Sequence, residues 1–303
     1  MKKVREQIAK SVFLVTAVVA VLSVVAITLY MIWKGAPALF EVGVPKLLFG
    51  TVWEPTAGEP SYGIAYIILS SLVGTLGAVL LGVPVGLLTA VFLTEITSQT
   101  RTGRRISKLL SSAVELLAAI PSVIYGLIGM MVLNPWMYRM EKALFAGSET
   151  HRFTGGANLL SAIIVLAIMI LPTVINVSCS SLKAVPDQLR FASLALGASK
   201  IQTIFLTVIP AAKSGIMTGV VLGIGRALGE AMAINMVAGG AVNIPLPFNS
   251  VKFLTTQLVS EMSYSAGLHR QVLFTVGLVL YLFIMCINLF LTCLKRKGEK
   301  TND

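Results

Sequence analysis

The chain has 303 residues, of which 56% are hydrophobic and only 12% charged, against roughly a quarter charged in an ordinary soluble domain; this composition marks an integral membrane protein. The net charge of +11 does not point to nucleic acid, because Lys and Arg fall in short clusters between apolar runs and build no basic, aromatic-laced patch. Cys179, Cys286 and Cys293 lie in apolar or span-edge segments without paired spacing, so they suggest neither a disulfide framework nor a metal site and read as packing residues.

Residues 1–10, "MKKVREQIAK", form a basic head, and the apolar run 11–33 follows. Signal-peptide cores hold roughly 7 to 15 apolar residues and membrane spans roughly 20. The run therefore reads as a first transmembrane helix, with an uncleaved anchor favoured even though Ala36-Pro37-Ala38 resembles a cleavage site. After an outer segment at 34–63, which carries Trp53, Pro55 and Pro60, five further stretches near 64–94, 106–134, 157–182, 214–240 and 271–294 are each long enough to cross a bilayer as helix. The expectation is an all-α integral membrane protein with six transmembrane helices, its core at 64–294 and a short tail at 295–303. Sixteen Lys and Arg residues fall in one alternate set of flanks and seven in the other, which by the positive-inside tendency puts both termini in the cytoplasm.

Pro84, Pro121 and Pro172 punctuate three of the spans. Each removes a backbone donor, which within lipid suggests either a plain kink or a broken helix lining a pathway. Glu115, an acid shortly before Pro121, reads as a hydrated residue near the cytoplasmic surface. His151 and His269, on the outer side, read as solvated, and Ser250 to Met262 as a short outer helix in the segment 241–270.

One cytoplasmic connection, 183–210, is too long for a tight turn and too apolar for a solvated linker. Pro186 can open a helix, Asp187 suits its first turn and Gly197 can close it. The expected helix carries Leu189, Ala192, Ser193 and Leu196 on one side, and a second helical stretch ends at Pro210. Composition leaves two readings open, a helix lying on the membrane or one fitting a groove of another protein.

Within the next span, "GIGRALGE" places Arg226 and Glu230 in apolar surroundings. An isolated arginine at mid-bilayer costs on the order of 3 kcal/mol by insertion scales. Glu230, one turn on, is expected to pair with it. A buried packing bridge is one account and a water-filled pathway the better one, with Arg226 the best anion-contacting candidate, since its planar fork of donors matches phosphate oxygens. We expect Glu230 to hold Arg226 when the path is empty. Gly215, Gly219, Gly223, Ala227 and Ala231 recur every fourth residue and read as a packing seam, within the chain or against a second subunit. The glycines do not make a dinucleotide fingerprint, because their last interval is one residue too long and no strand precedes them.

The 183–210 connection resembles the cytoplasmic loop of ABC-transporter permeases, whose pattern is EAA, three residues, G, nine residues, then I-x-L-P. Gly197 and Pro210 match at the right interval, Ala192 is kept and Ser193 is a small substitute. Phe191 stands where that pattern has glutamate, Thr207 where it has isoleucine and Ile209 where it has leucine. "VELLAAIPSVIYGLIG" (Val114 to Gly129), "GIGRALGEAMA" (Gly223 to Ala233) and "WEPTAGEPSYGI" (Trp53 to Ile64) together resemble the phosphate-specific ABC permeases, the PstC type of their two paired subunits.

The resemblance implies a type I ABC importer permease fold in the bacterial cytoplasmic membrane. It also implies a second related permease as heterodimer partner, two ATPase subunits that bind ATP and Mg, and an extracytoplasmic phosphate-binding protein met by the outer segments. Under it, Pro186, Leu189, Ala192, Ser193, Leu196, Gly197 and Pro210 belong to the coupling segment, and Arg226, Glu230 and Glu115 to the substrate pathway. The residues themselves support a narrower statement: no GxxxxGK[ST] phosphate loop is present, so the chain is not the ATPase and no cofactor is expected on it. A permease for sulfate or molybdate, and a carrier or channel working alone, are the competing readings.

Overall fold

The computed structural model describes residues 2–97, 101–148 and 151–300. Met1 and residues 301–303 of the expected termini lie outside them. Helices dominate: α1 (Lys2–Ala38), α2 (Val44–Phe49), α3 (Ala65–Val91), α4 (Arg101–Ala119), α5 (Ser122–Ile128), α6 (Asn134–Phe145), α7 (Leu159–Lys183), α8 (Asp187–Ala195), α9 (Lys200–Thr203), α10 (Ile209–Ala211), α11 (Lys213–Gly229), α12 (Met232–Val237), α13 (Leu254–Glu261) and α14 (Gly267–Lys300). Five-residue π-helical turns extend or join several of them, as at Phe92–Ile96 after α3 and Ile204–Val208 between α9 and α10. A two-residue hairpin, β1 (Trp53–Glu54) with β2 (Ser61–Tyr62), pairs Trp53 with Tyr62.

Four continuous helices are long and apolar enough to cross a membrane, and two bent pairs bring the number to six. Six is the expected count, but two spans differ in construction. The stretch 106–134 is α4 and α5 bent by 98° at Pro121, whose extended backbone (φ −59°, ψ 143°) starts α5. The stretch 214–240 is not one helix. Helix α11 ends at Gly229 and the short α12 follows separately, and the bent partner of α11 is the preceding segment Lys200–Ala211, at 69°. Pro84 and Pro172 break nothing and lie inside α3 and α7.

Those two helices form the most extensive pairing of the bundle, with α11 on α7 the next. Glycines make the approach close: on α3, Gly77, Gly82 and Gly86 face Ile163, Ile170 and Val174 of α7, and on α11, Gly215, Gly219 and Gly223 face Ser181, Val177 and Val174. The fourth-residue ridge is thus an internal seam against α7. It continues to buried Ala227 and stops short of Ala231, which lies beyond the helix end. Such small-residue contacts suit lipid, where van der Waals packing rather than water expulsion holds helices together.

The largest apolar core lies between α3, α5, α7 and α12, around Leu166, Ile170, Tyr125 and Ile234. A second core, under α2 and the hairpin, joins Leu47, Tyr62 and Ile64 to Val272 and Val276 of α14. Helix α1 leans on α14, where the Thr275 hydroxyl donates to the Gly35 carbonyl at 2.8 Å. The most apolar window of α1 is otherwise bare.

Candidate functional site

Arg226 sits in the last turn of α11, about 20 Å along it at 1.5 Å per residue. The helix macrodipole favours a cation at that end. The half-buried guanidinium makes one side-chain hydrogen bond, a long one of 3.5 Å from Nη1 to Thr173 Oγ1 on α7. No ion pair holds it among the described residues.

The expected pairing with Glu230 is therefore corrected. Glu230 adopts extended backbone (ψ 130°) at the helix end, so the two residues no longer share a helical face. Its buried carboxylate turns the other way and accepts the Ala233 N–H at 2.9 Å, satisfying an open donor in the first turn of α12. The Glu230 carbonyl, freed by the break, accepts the Thr255 hydroxyl of α13 at 2.6 Å. Helix α13 is itself fixed to α3, because Ser71 Oγ accepts the Leu254 N–H at 2.9 Å. Glu230 thus serves as a joint between α11, α12 and α13, and it is not placed to hold Arg226.

Glu115 is exposed on α4 and lines a cavity of about 320 Å3 with Ser107, Ser111, Asn176, Ser180 and Lys183. Arg226 does not line this space, so the structure does not bring the three expected pathway residues into one site.

The 183–210 segment folds largely as expected. Pro186 precedes α8, Asp187 opens it, and Gly197 takes φ +86°, the left-handed conformation that lets a chain leave a helix. Ser199 and Gln202 form a capping box that starts α9. No residue of α8 is buried. Leu189, Phe191, Leu194 and Leu196 are exposed, Leu196 to 90%, and Ala192 is exposed with them. Ser193 departs from the expectation: its hydroxyl turns inward to Thr203 Oγ1 at 3.0 Å and Thr207 Oγ1 at 3.4 Å, which holds α8 against the next helical segment. Pro210 sits near the end of the helical segment Lys200–Ala211, directly after its π-helical turn.

Sequence reading missed three polar assemblies, each joining residues from different elements. Arg190 of α8 bonds the Glu95 carboxylate at the end of α3 through Nε at 3.3 Å and Nη2 at 2.8 Å. Beside the hairpin, Glu261 accepts from Lys252 Nζ at 2.5 Å and Trp53 Nε1 at 3.1 Å, and its Oε2 lies 2.9 Å from His269 Nε2. Trp53, Lys252 and Glu261 border a cavity of about 730 Å3 between the hairpin and residues 240–264. Burial pushes the Glu261 carboxyl up, but Lys252, through hydrogen bond and charge, with help from His269 and Trp53, outweighs it and the net shift is downward. Glu141, fully buried, similarly accepts from the Thr154 N–H at 2.9 Å and faces His151 at 2.8 Å. Both histidines, expected to be solvated, are enclosed by carboxylate and aromatic rings, with His151 stacked on Phe145 at 3.9 Å. The expected packing role holds for half-buried Cys179, whereas Cys286 and Cys293 face outward. No group of His, Cys, Asp and Glu among the described residues is arranged to hold a metal ion.

Residues 82–299 match the family described as binding-protein-dependent transport system inner membrane component. The probable ABC transporter permease protein YqgH of Bacillus subtilis (strain 168) is 37% identical over 281 residues, 90% of this chain and 86% of that protein. The phosphate transport system permease protein PstC of Xylella fastidiosa (strain 9a5c) is 32% identical over 305 residues, 94% of this chain and 90% of that one. Among solved structures, a bacterial alginate ABC transporter in complex with an alginate-bound periplasmic protein matches with TM-score 0.63 and 15% identity, covering 96% of each chain. An inward-facing methionine transporter, MetNI, matches with TM-score 0.55 and 19% identity over 78% of this chain and 94% of that one.

Proposed function

The chain belongs to the binding-protein-dependent transport system inner membrane component family and is the permease subunit of an ABC importer, and on that premise we propose that its cargo is inorganic phosphate. The relatives named for phosphate transport support the cargo. The observation in the fold that carries it is Arg226, a permanent cation on a membrane helix that no carboxylate neutralises among the described residues. Phosphate, with one to two negative charges, supplies the missing partner for the time of its passage. A long hydrogen bond to Thr173 gives way easily, as conduction requires of contacts weak enough to leave.

In this reading α8 is the coupling helix. Its exposed Leu189, Phe191, Leu194 and Leu196 seat in an ATP-binding partner, of which two copies would hold ATP and Mg. A second permease would complete the path, and an extracytoplasmic phosphate-binding protein would deliver the anion to the outer cap formed by the hairpin, residues 240–253 and α13. Both termini and α8 would lie in the bacterial cytoplasm, and the chain itself would catalyse no reaction. Glu115, beside Lys183 in its cavity, is kept as a residue near the inner mouth rather than as an anion contact, because a carboxylate repels phosphate.

The test is ATP-driven uptake by the assembled complex in liposomes. Arg226→Gln should lower phosphate uptake by about tenfold or more, the equivalent of one lost charge-assisted contact, while ATPase subunits remain bound. Excess sulfate should leave wild-type uptake unchanged. Normal uptake by Arg226→Gln would remove the arginine from the path, and competition by sulfate would move the assignment to another oxyanion.

A further inference from the structure

We infer that Arg190 is a positioning residue that gears α8 to α3, so that displacement of the coupling helix moves the centre of the bundle directly. The inference rests on the reading of α8 as the site where the ATPase pushes. Covalently, α8 is joined only to α7 before it and α9 after it. Helix α3, the partner of α7 in the most extensive pairing of the bundle, has no chain connection to α8.

Arg190 supplies the missing connection. Nε and Nη2 grip the two oxygens of Glu95 at 3.3 and 2.8 Å, on the π-helical turn that ends the α3 span. Nη2 also donates to the Leu182 carbonyl at 2.8 Å, in the last turn of α7, and Nη1 to the Val185 carbonyl at 2.6 Å, in the connection just after it. The remaining contact, Nη1 to Asp187 at 3.1 Å, orients the side chain on α8 itself. Every one of the five N–H donors of the guanidinium has an acceptor.

Geometry separates this arrangement from an ordinary surface bridge. The Arg190 and Glu95 side chains are 18% and 11% exposed, in contrast to the open ion pairs that contribute little. The planar fork fixes the angle between α8 and α3 as well as their distance, which a lysine, a point charge on a flexible stem, cannot do. One turn further along the same face, Ser193 ties α8 to Thr203 and Thr207 on the segment leading into α11. With α8 otherwise unburied, these two residues are its polar tethers to the core.

The experiment uses the full complex in liposomes and reads ATP hydrolysed per phosphate taken up, together with retention of the ATPase during purification. Arg190→Lys and Glu95→Gln should each keep the ATPase bound yet raise the ratio severalfold, and the double variant should raise it no further than either single one, because both changes break the same link. An unchanged ratio, additive effects, or loss of the ATPase from Arg190→Lys would each overturn the inference, since a gear is passive in assembly. Leu196→Glu runs alongside. Loss of the ATPase there supports docking on α8, and its retention would sink the docking reading separately from the gear.

Discussion

Glu230 shows how a charged residue within a membrane bundle can act through the backbone instead of through its charge. The carboxylate caps the first turn of α12, and a glutamine carbonyl can accept the same bond. Glu230→Gln should therefore transport phosphate at close to the normal rate, whereas Glu230→Ala should lose about 1 kcal/mol of stability and melt lower in detergent; equal melting of the two variants would refute the capping role. Glu261 works by charge. Its pKa is depressed in the fold, so its contribution to stability is fully present above the ordinary glutamate value of 4.5 and is lost as pH falls below it toward the lowered value. Glu261→Gln leaves Lys252 partly unpaired and should cost about 3 kcal/mol at neutral pH. The melting temperature of the wild type should drop toward that of the variant on acidification, and a constant gap between them would show that the carboxylate is not the stabilising group.

At the scale of elements, what was legible in the sequence is what local chemistry dictates. Pro186, Asp187 and Gly197 announced α8 because each acts within its own turn, and the glycine ridge announced the face of α11 that meets α7. Three prolines looked alike, yet Pro121 alone breaks a span, because Pro84 and Pro172 sit in helices locked by glycine contacts along their seam. The break after Gly229 had no such signal. It is held by Thr255, 25 residues away, and periodicity does not register a partner at that distance. The Glu95–Arg190 link spans 95 residues and was hidden for the same reason. The seam yields a paired prediction on one helix. A Cβ at Gly215 runs into Ser181, so Gly215→Val should cost about 1–3 kcal/mol. Gly225 has nothing within 4 Å, so Gly225→Ala should stabilise by about 0.5–1 kcal/mol through helix propensity. Thermal melts in detergent decide both.

For the whole molecule, hydropathy set the number of crossings and left their assembly open, since apolar composition is the same for a straight span and for two helices meeting at 98°. If each bent pair counts as one span, six crossings would return the chain to its starting side, which labelling tests. With the native cysteines replaced by serine, Lys10→Cys and Lys200→Cys should react with an impermeant maleimide only in permeabilised cells and Glu59→Cys in intact ones, and the reverse pattern would invert the protein in the membrane. The two end helices have one more consequence. At 1.5 Å per residue the 37 residues of α1 and the 34 of α14 extend for about 50 Å or more, against a hydrocarbon layer of roughly 30 Å. Their seam lies near the C-terminal end of α1 and the N-terminal part of α14, at Gly35 and Thr275, so most of the length of both helices lies away from it. In its most apolar window α1 touches little else of this chain, so its hold on α14 at that one end is its main anchor to the bundle.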